Sequence, residues 1–149
     1  MESILISACL LGICCRYDGG SKQGISEELL EKLKARYNLI PVCPEIYGGL
    51  PTPRRGSERV GGRVLMADGT DVTENYQRGA EATLALARLF GSRYAILKER
   101  SPSCGHGEIY DGTFTGALKE GAGVTAELLL ENGITVIGES RVGDLLFGG

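Results

Sequence analysis

Four short apolar runs, SILISAC (3–9), LIPVC (39–43), YAILK (94–98) and ITVIG (134–138), punctuate the sequence. Three longer stretches with helical spacing separate them. Runs this short, bounded by glycine and proline, read as buried strands. Between them, ISEELLEKLKARYN carries Leu29, Leu30 and Leu33 on one face, with Ser26 placed to cap its start. ENYQRGAEATLALARLF follows Thr73, its expected cap, and closes at Gly91; VTAELLLENG closes at Gly133. GRVLMADGTDVT reads as a hairpin turning at Asp68-Gly69, and DGTFTG as a brief extended piece. Strands alternating with helices lead to a parallel sheet with helices on both faces. The expectation is an α/β, Rossmann-like three-layer sandwich, one domain over residues 1–149, with Pro41 marking an edge strand or a strand end.

The bulk properties narrow the class. A length of 149 residues suits one core, and 42% hydrophobic with 23% charged residues is ordinary for a globular protein. A net charge of −3 gives no general footprint for a nucleic-acid polymer, which needs a basic face. The apolar start, MESILISACLLGICC, has no basic leader, and its most apolar part is about half of a membrane span. A cytoplasmic protein that does not enter a membrane is expected. Five cysteines without a secretion signal then point to metal binding, catalysis or burial rather than disulfides.

Three of those cysteines end apolar runs. Cys9 follows ILISA, Cys43 follows LIPV, and Cys104 follows YAILKERSPS. Ligands of open parallel sheets lie outside the carboxyl ends of the strands, so three thiols distant in sequence can meet there. Their scattered spacing is unlike a zinc finger's close pairs, whereas iron–sulfur clusters accept thiolates from separate loops. Cys14 reads as a packed apolar residue. Cys15, in the same glycine-rich loop, is open between packing and ligation.

Other polar residues cluster near these positions. Glu45, two residues past Cys43, is suited to proton transfer. Ser101 and Ser103 flank Pro102 and are read as turn residues or substrate contacts. Arg16 and Asp18 either pair with each other or face a pocket. Arg54 and Arg55, after prolines, are expected to bind an anion or pair with Glu58. His106, the sole histidine, reads as an exposed loop residue or a proton shuttle.

SACLLGICCRYDGGSK, VCPEIYGGLPTPR, DGTDVT, KERSPSCG and YDGTFTG together resemble a bacterial family known as a domain of unknown function, whose characterised members include thiouracil desulfurases (desulfidases). The likeness runs over essentially the whole chain. It implies a 4Fe–4S cluster held by Cys9, Cys43 and Cys104 with one iron open. It also implies that Glu45 and Ser101 handle the substrate, so these two are the expected catalytic residues. Arg16, Asp18 and Ser103 are expected around the substrate from their positions in the loops. Some relatives carry a second C-terminal domain, which a chain ending in GDLLFGG is expected to lack.

The function expected from both lines is non-redox removal of sulfur from a small thiolated pyrimidine. An open iron serves as Lewis acid. Two alternatives stay open here. One is a non-catalytic metal, sulfur-carrier or redox-sensing module; the other is a metal-free thiol enzyme with Cys104 as nucleophile.

Overall fold

The computed structural model describes residues 1–20 and 24–147. Positions 21–23 of the glycine-rich loop, and the last two glycines, lie outside the described residues. Along the chain run β1 (Glu2–Ser7), α1 (Glu27–Arg36), β2 (Tyr37–Val42), a single turn α2 (Pro44–Tyr47), β3 (Ser57–Val60), β4 (Arg63–Met66) and α3 (Thr73–Phe90). Then follow β5 (Tyr94–Leu97), β6 (His106–Tyr110), β7 (Leu118–Ala122), α4 (Val124–Glu131), β8 (Thr135–Gly138) and α5 (Val142–Phe147).

β2, β1, β5 and β8 form, in that order, a four-stranded sheet with every pairing parallel. Numbering only these strands gives 2-1-3-4, so the strand order reverses direction at the first strand. Side chains alternate across the sheet. Ile4, Ile6 and Ile96 pack with Leu33 of α1 and with Val142 and Leu146 of α5. Leu5, Ala95, Leu97 and Val136 pack with Leu84 and Ala87 of α3 and with Ala126 and Leu129 of α4. The result is three layers, as expected. β2 is an edge strand, which accommodates Pro41 and its missing N–H.

Local chemistry sets the helix ends. The Ser26 side chain accepts a hydrogen bond from Leu29 N at 3.2 Å, and Glu27 and Glu28 fill the first turn of α1. Gly91 closes α3 in the left-handed conformation. Thr73 is the first residue of α3 rather than its cap. Asp71 instead accepts from Thr73 N at 2.9 Å, and Thr73 Oγ1 accepts from Val64 N.

The expected hairpin around Asp68-Gly69 forms: Met66 N donates to Thr70 O and Val72 N to Val64 O across the antiparallel bridge from Leu65 to Asp71. Two features differ from the sequence reading. SERV, although polar, is a strand that pairs with the other edge of RVLM through a turn at Gly61-Gly62. DGTFTG is not extended; it connects a further hairpin, β6–β7, whose strands are too exposed to show apolar alternation. The short helices α2 and α5 carry too few turns to display a helical period.

α2 lies against α3 through glycine on each side. A Cβ on Gly79 would stand 1.9 Å from the carbonyl oxygen of Pro44, and one on Gly48 would stand 1.9 Å from that of Asn75. This contact sets the position of Cys43 and Glu45. An added methyl is therefore expected to destabilise: Gly79→Ala should cost about 1–3 kcal/mol, although alanine is intrinsically the better helix former by about 1 kcal/mol. A thermal melt reads this as a drop of several degrees, and an unchanged midpoint would contradict the close approach.

Candidate active site

The chain leaves β1 toward β2 on one side and reaches β5 on the other, so the loops after β1 and β5 diverge. Such a reversal of strand order opens a crevice at the carboxyl end of a parallel sheet. A cleft of about 460 Å³ lies there, bordered by Ser7, Val42 and Lys98 at the strand ends. Cys9, Cys15, Cys43 and Cys104 all line it, together with Glu45, Ser101 and Ser103. Cys14 is exposed and stands outside the cleft, contrary to its expected packing. His106 opens β6, is exposed, and borders a neighbouring cavity instead.

Each cysteine arrives on its own support. Cys9 sits in a 3-10 turn, Ala8–Leu11, directly after β1, closed by Gly12 at φ 91°. Cys43 is the N-cap residue of α2, so the same turn that starts the helix presents Glu45. Cys104 lies in the loop after β5, which rests on the first turn of α4. There Val124 N donates to Pro102 O at 2.8 Å and Thr125 N to Ser103 O at 2.9 Å. Gly123 permits this contact, since a Cβ would stand 2.3 Å from the Ser103 carbonyl carbon.

A hydrogen-bonded line crosses the floor of the cleft. Cys104 N donates to Ser101 Oγ at 2.7 Å, and the Ser101 and Ser103 hydroxyls lie 3.3 Å apart. Ser103 Oγ donates to Glu45 Oε2 at 2.9 Å. Arg54 approaches the other carboxylate oxygen, Oε1, with Nη2 at 2.9 Å and Nε at 3.0 Å. Its remaining N–H groups reach the carbonyl oxygens of Cys15 and Pro51 and the hydroxyl of Thr52. Arg54 therefore pairs with Glu45 and not Glu58, while the exposed Arg55 pairs with Asp68. Tyr76 is buried beside this pair, its phenol pushed up by burial and then by the Glu45 carboxylate. Arg16 lines the cleft and pairs with Asp18 at 3.4 Å. Asp18 itself accepts from Gly20 N, shapes the loop, and does not border the cleft.

The thiols are desolvated. Burial, then Cys43, pushes Cys9 up to about 11; burial, then Cys43, pushes Cys15 up to about 12. Cys104 is pushed up to about 12 by burial, against the lowering effect of the Ser103 and Ser7 hydroxyls, whose oxygens lie 3.6 and 3.7 Å from its sulfur. A nucleophilic cysteine needs the opposite shift, so Cys104 is poorly suited to metal-free thiol chemistry. A set of crowded, buried thiols does suit a cationic iron–sulfide core, which removes their protons on binding. Among the described residues, no three His, Cys, Asp or Glu side chains converge as the ligands of one ion would. A cluster takes its thiolates on separate irons, so it does not need such convergence.

Comparison with known proteins gives the family. A family model described as 2-thiouracil desulfurase matches residues 4–141. The chain belongs to that family. It is similar to an uncharacterized protein, YbbK, of Bacillus subtilis (strain 168), with 44% identity over 153 residues, covering 96% of this chain and 99% of the relative. It is also similar to the solved structure of a 4Fe–4S-dependent thiouracil desulfidase, TudS, with a TM-score of 0.93 and 47% identity over 99% of this chain and 97% of that one.

Arg54 and Lys98 both line the cleft; sequence reading gave Lys98 no role and matched Arg54 to an anion or to Glu58. Lys98 is tied by its ammonium to Glu139 at 2.7 Å. Position in the PTPR turn signals Arg54 only faintly; its partner Glu45 is nine residues away across that turn. Burial also orders thiol reactivity. In the metal-free, reduced protein near neutral pH, iodoacetamide should modify Cys14 first and Cys9, Cys15 and Cys104 far more slowly, as followed by peptide mass spectrometry. Cys104 labelling as fast as Cys14 would overturn the buried, protonated site described here.

Proposed function

We propose that this protein hydrolyses the C=S bond of a small thiolated pyrimidine, using a 4Fe–4S cluster held by Cys9, Cys43 and Cys104. The observation that carries the proposal is the meeting of three strand-end thiols and one clamped carboxylate in a single cleft. When bound, a three-thiolate cluster supplies a thiophilic, Lewis-acidic iron with an open position for the substrate's sulfur. The net reaction is thiocarbonyl plus water to carbonyl plus hydrogen sulfide, without electron transfer.

The protein's own residues supply proton handling and position. Glu45 takes a proton from the attacking water at Oε2, the oxygen that Ser103 now holds. Arg54 keeps Oε1 fixed, so only one carboxylate oxygen faces the chemistry. Ser101, anchored by Cys104 N, orients Ser103 and lies within reach of the substrate. Arg16 borders the same space and is assigned to substrate binding; Asp18 supports it through their ion pair.

The chain is read as one functional unit acting on a free small molecule rather than on a nucleic-acid polymer. Among the described residues, no helix is long and apolar enough to cross a membrane. Five free thiols suit a reducing compartment, which supports reading the protein as cytoplasmic.

Cys43→Ser should lose iron, acid-labile sulfide and turnover together. Glu45→Gln should keep iron, sulfide and the brown absorbance, while kcat on 2- or 4-thiouracil falls about 10²–10⁴-fold. Full turnover in Glu45→Gln would remove Glu45 from the mechanism, and full iron loading in Cys43→Ser would remove Cys43 from the ligand set.

A further inference from the structure

The DGTFTG loop has no part in the chemistry above, yet it reaches the same cleft. Phe114 lines that cleft and is held at φ 59°. Left-handed backbone is a genuine outlier for a bulky aromatic residue, and such strain persists only where surroundings enforce it. Glu58 enforces it here. Its Oε1 accepts from Gly112 N at 2.9 Å and from Phe114 N at 3.1 Å, so one carboxylate oxygen pins both sides of the turn to β3. Asp111 tightens the turn further by accepting from Thr113 N and Oγ1. Tyr17 and Tyr110 line the same cleft. These three aromatic residues are 36–46% exposed, whereas Cys9, Cys15 and Cys104 are at most 8% exposed. The aromatics thus stand at the mouth and the thiols at the floor. Tyr17 is held in place: its carbonyl accepts from Arg54 N at 2.6 Å, and its ring packs over Gly56.

From this arrangement we infer that Phe114 is a specificity-determining residue that stacks on the ring of the substrate, with Tyr17 and Tyr110 completing an aromatic mouth. The inference rests on the proposed desulfuration and names the residue that makes it select planar heteroaromatic rings over other thiocarbonyls. A flat ring bound at the rim directs its exocyclic sulfur toward the thiols below. Small aliphatic thioamides carry the same C=S bond and lack the π-face. Half-exposed rings are the feature that favours stacking: a residue serving only the core is buried, as Tyr76 is at 1%.

The test compares Phe114→Leu and Phe114→Tyr in the cluster-loaded protein. Leucine keeps apolar bulk without a π-face, so KM for 2- or 4-thiouracil should rise about ten- to a hundredfold, while kcat and iron content stay as in the wild type. Tyrosine should restore the wild-type KM. A Phe114→Leu protein with wild-type KM overturns the inference, as does a loss of KM that tracks loss of iron. If the wild type turns over no thiouracil, the desulfurase reading fails by itself. Calorimetric binding of uracil to wild type and Phe114→Leu then still decides the stacking role, and equal affinities overturn it.

Discussion

One buried ion pair ties the site together. Arg54 and Glu45 have side chains only 3% and 13% exposed, so both charges lie almost wholly out of water. Such burial is costly unless every remaining donor is satisfied. Here the guanidinium donates four hydrogen bonds from its three nitrogens, to Glu45 Oε1, the Cys15 and Pro51 carbonyl oxygens and the Thr52 hydroxyl, beside the ion-pair contact of Nη2 with Glu45. The pair joins three segments that carry the chemistry: the loop after β1, the turn α2 after β2, and the proline-rich loop that follows. Its asymmetry matters too. Both contacts to the carboxylate fall on Oε1, which leaves Oε2 to Ser103 and to the cleft.

Around that clamp the fold gathers groups that repel one another in their ionised forms. On top of burial, the Cys43 sulfur pushes the Cys9 and Cys15 thiols up, and Glu45 adds to the effect of burial at Cys104. The protein answers with hydroxyls aimed at Cys104 and with the cations Lys98 and Arg16 beside Cys9. A site built this way is least comfortable as bare thiolates and best matched to a positively charged inorganic core. The chemical logic agrees with membership of the 2-thiouracil desulfurase family.

The rim follows a different rule. The floor is fixed by regular elements, whereas the mouth depends on a strained turn pinned by Glu58. Sheet ends give the thiols a rigid frame for an inorganic group. A loop gives the rim freedom to suit an organic ring. Gly48 and Gly79 serve the floor, because the α2–α3 contact has no room for a Cβ.

The sequence alone determined the layers and the ligand end of the sheet. Short apolar runs separated by amphipathic stretches admit few arrangements other than a parallel sheet between helices, and Cys9, Cys43 and Cys104 each follow such a run. Local signals also fixed the start of α1 at Ser26 and the end of α3 at Gly91. What sequence did not carry depended on partners distant along the chain. SERV looks like loop until RVLM pairs with it, and β6 and β7 have exposed faces that erase the alternation of a buried strand. Arg54 could be matched to Glu58 or to an anion until the PTPR turn brought it onto Glu45. Cys14 and Cys15 are neighbours in sequence, yet one faces solvent and the other the cleft. Periodicity reports which face of an element is buried; only the packed chain decides which charges and sulfurs meet, because those distances are set by crossings between elements and not by spacing along any one of them.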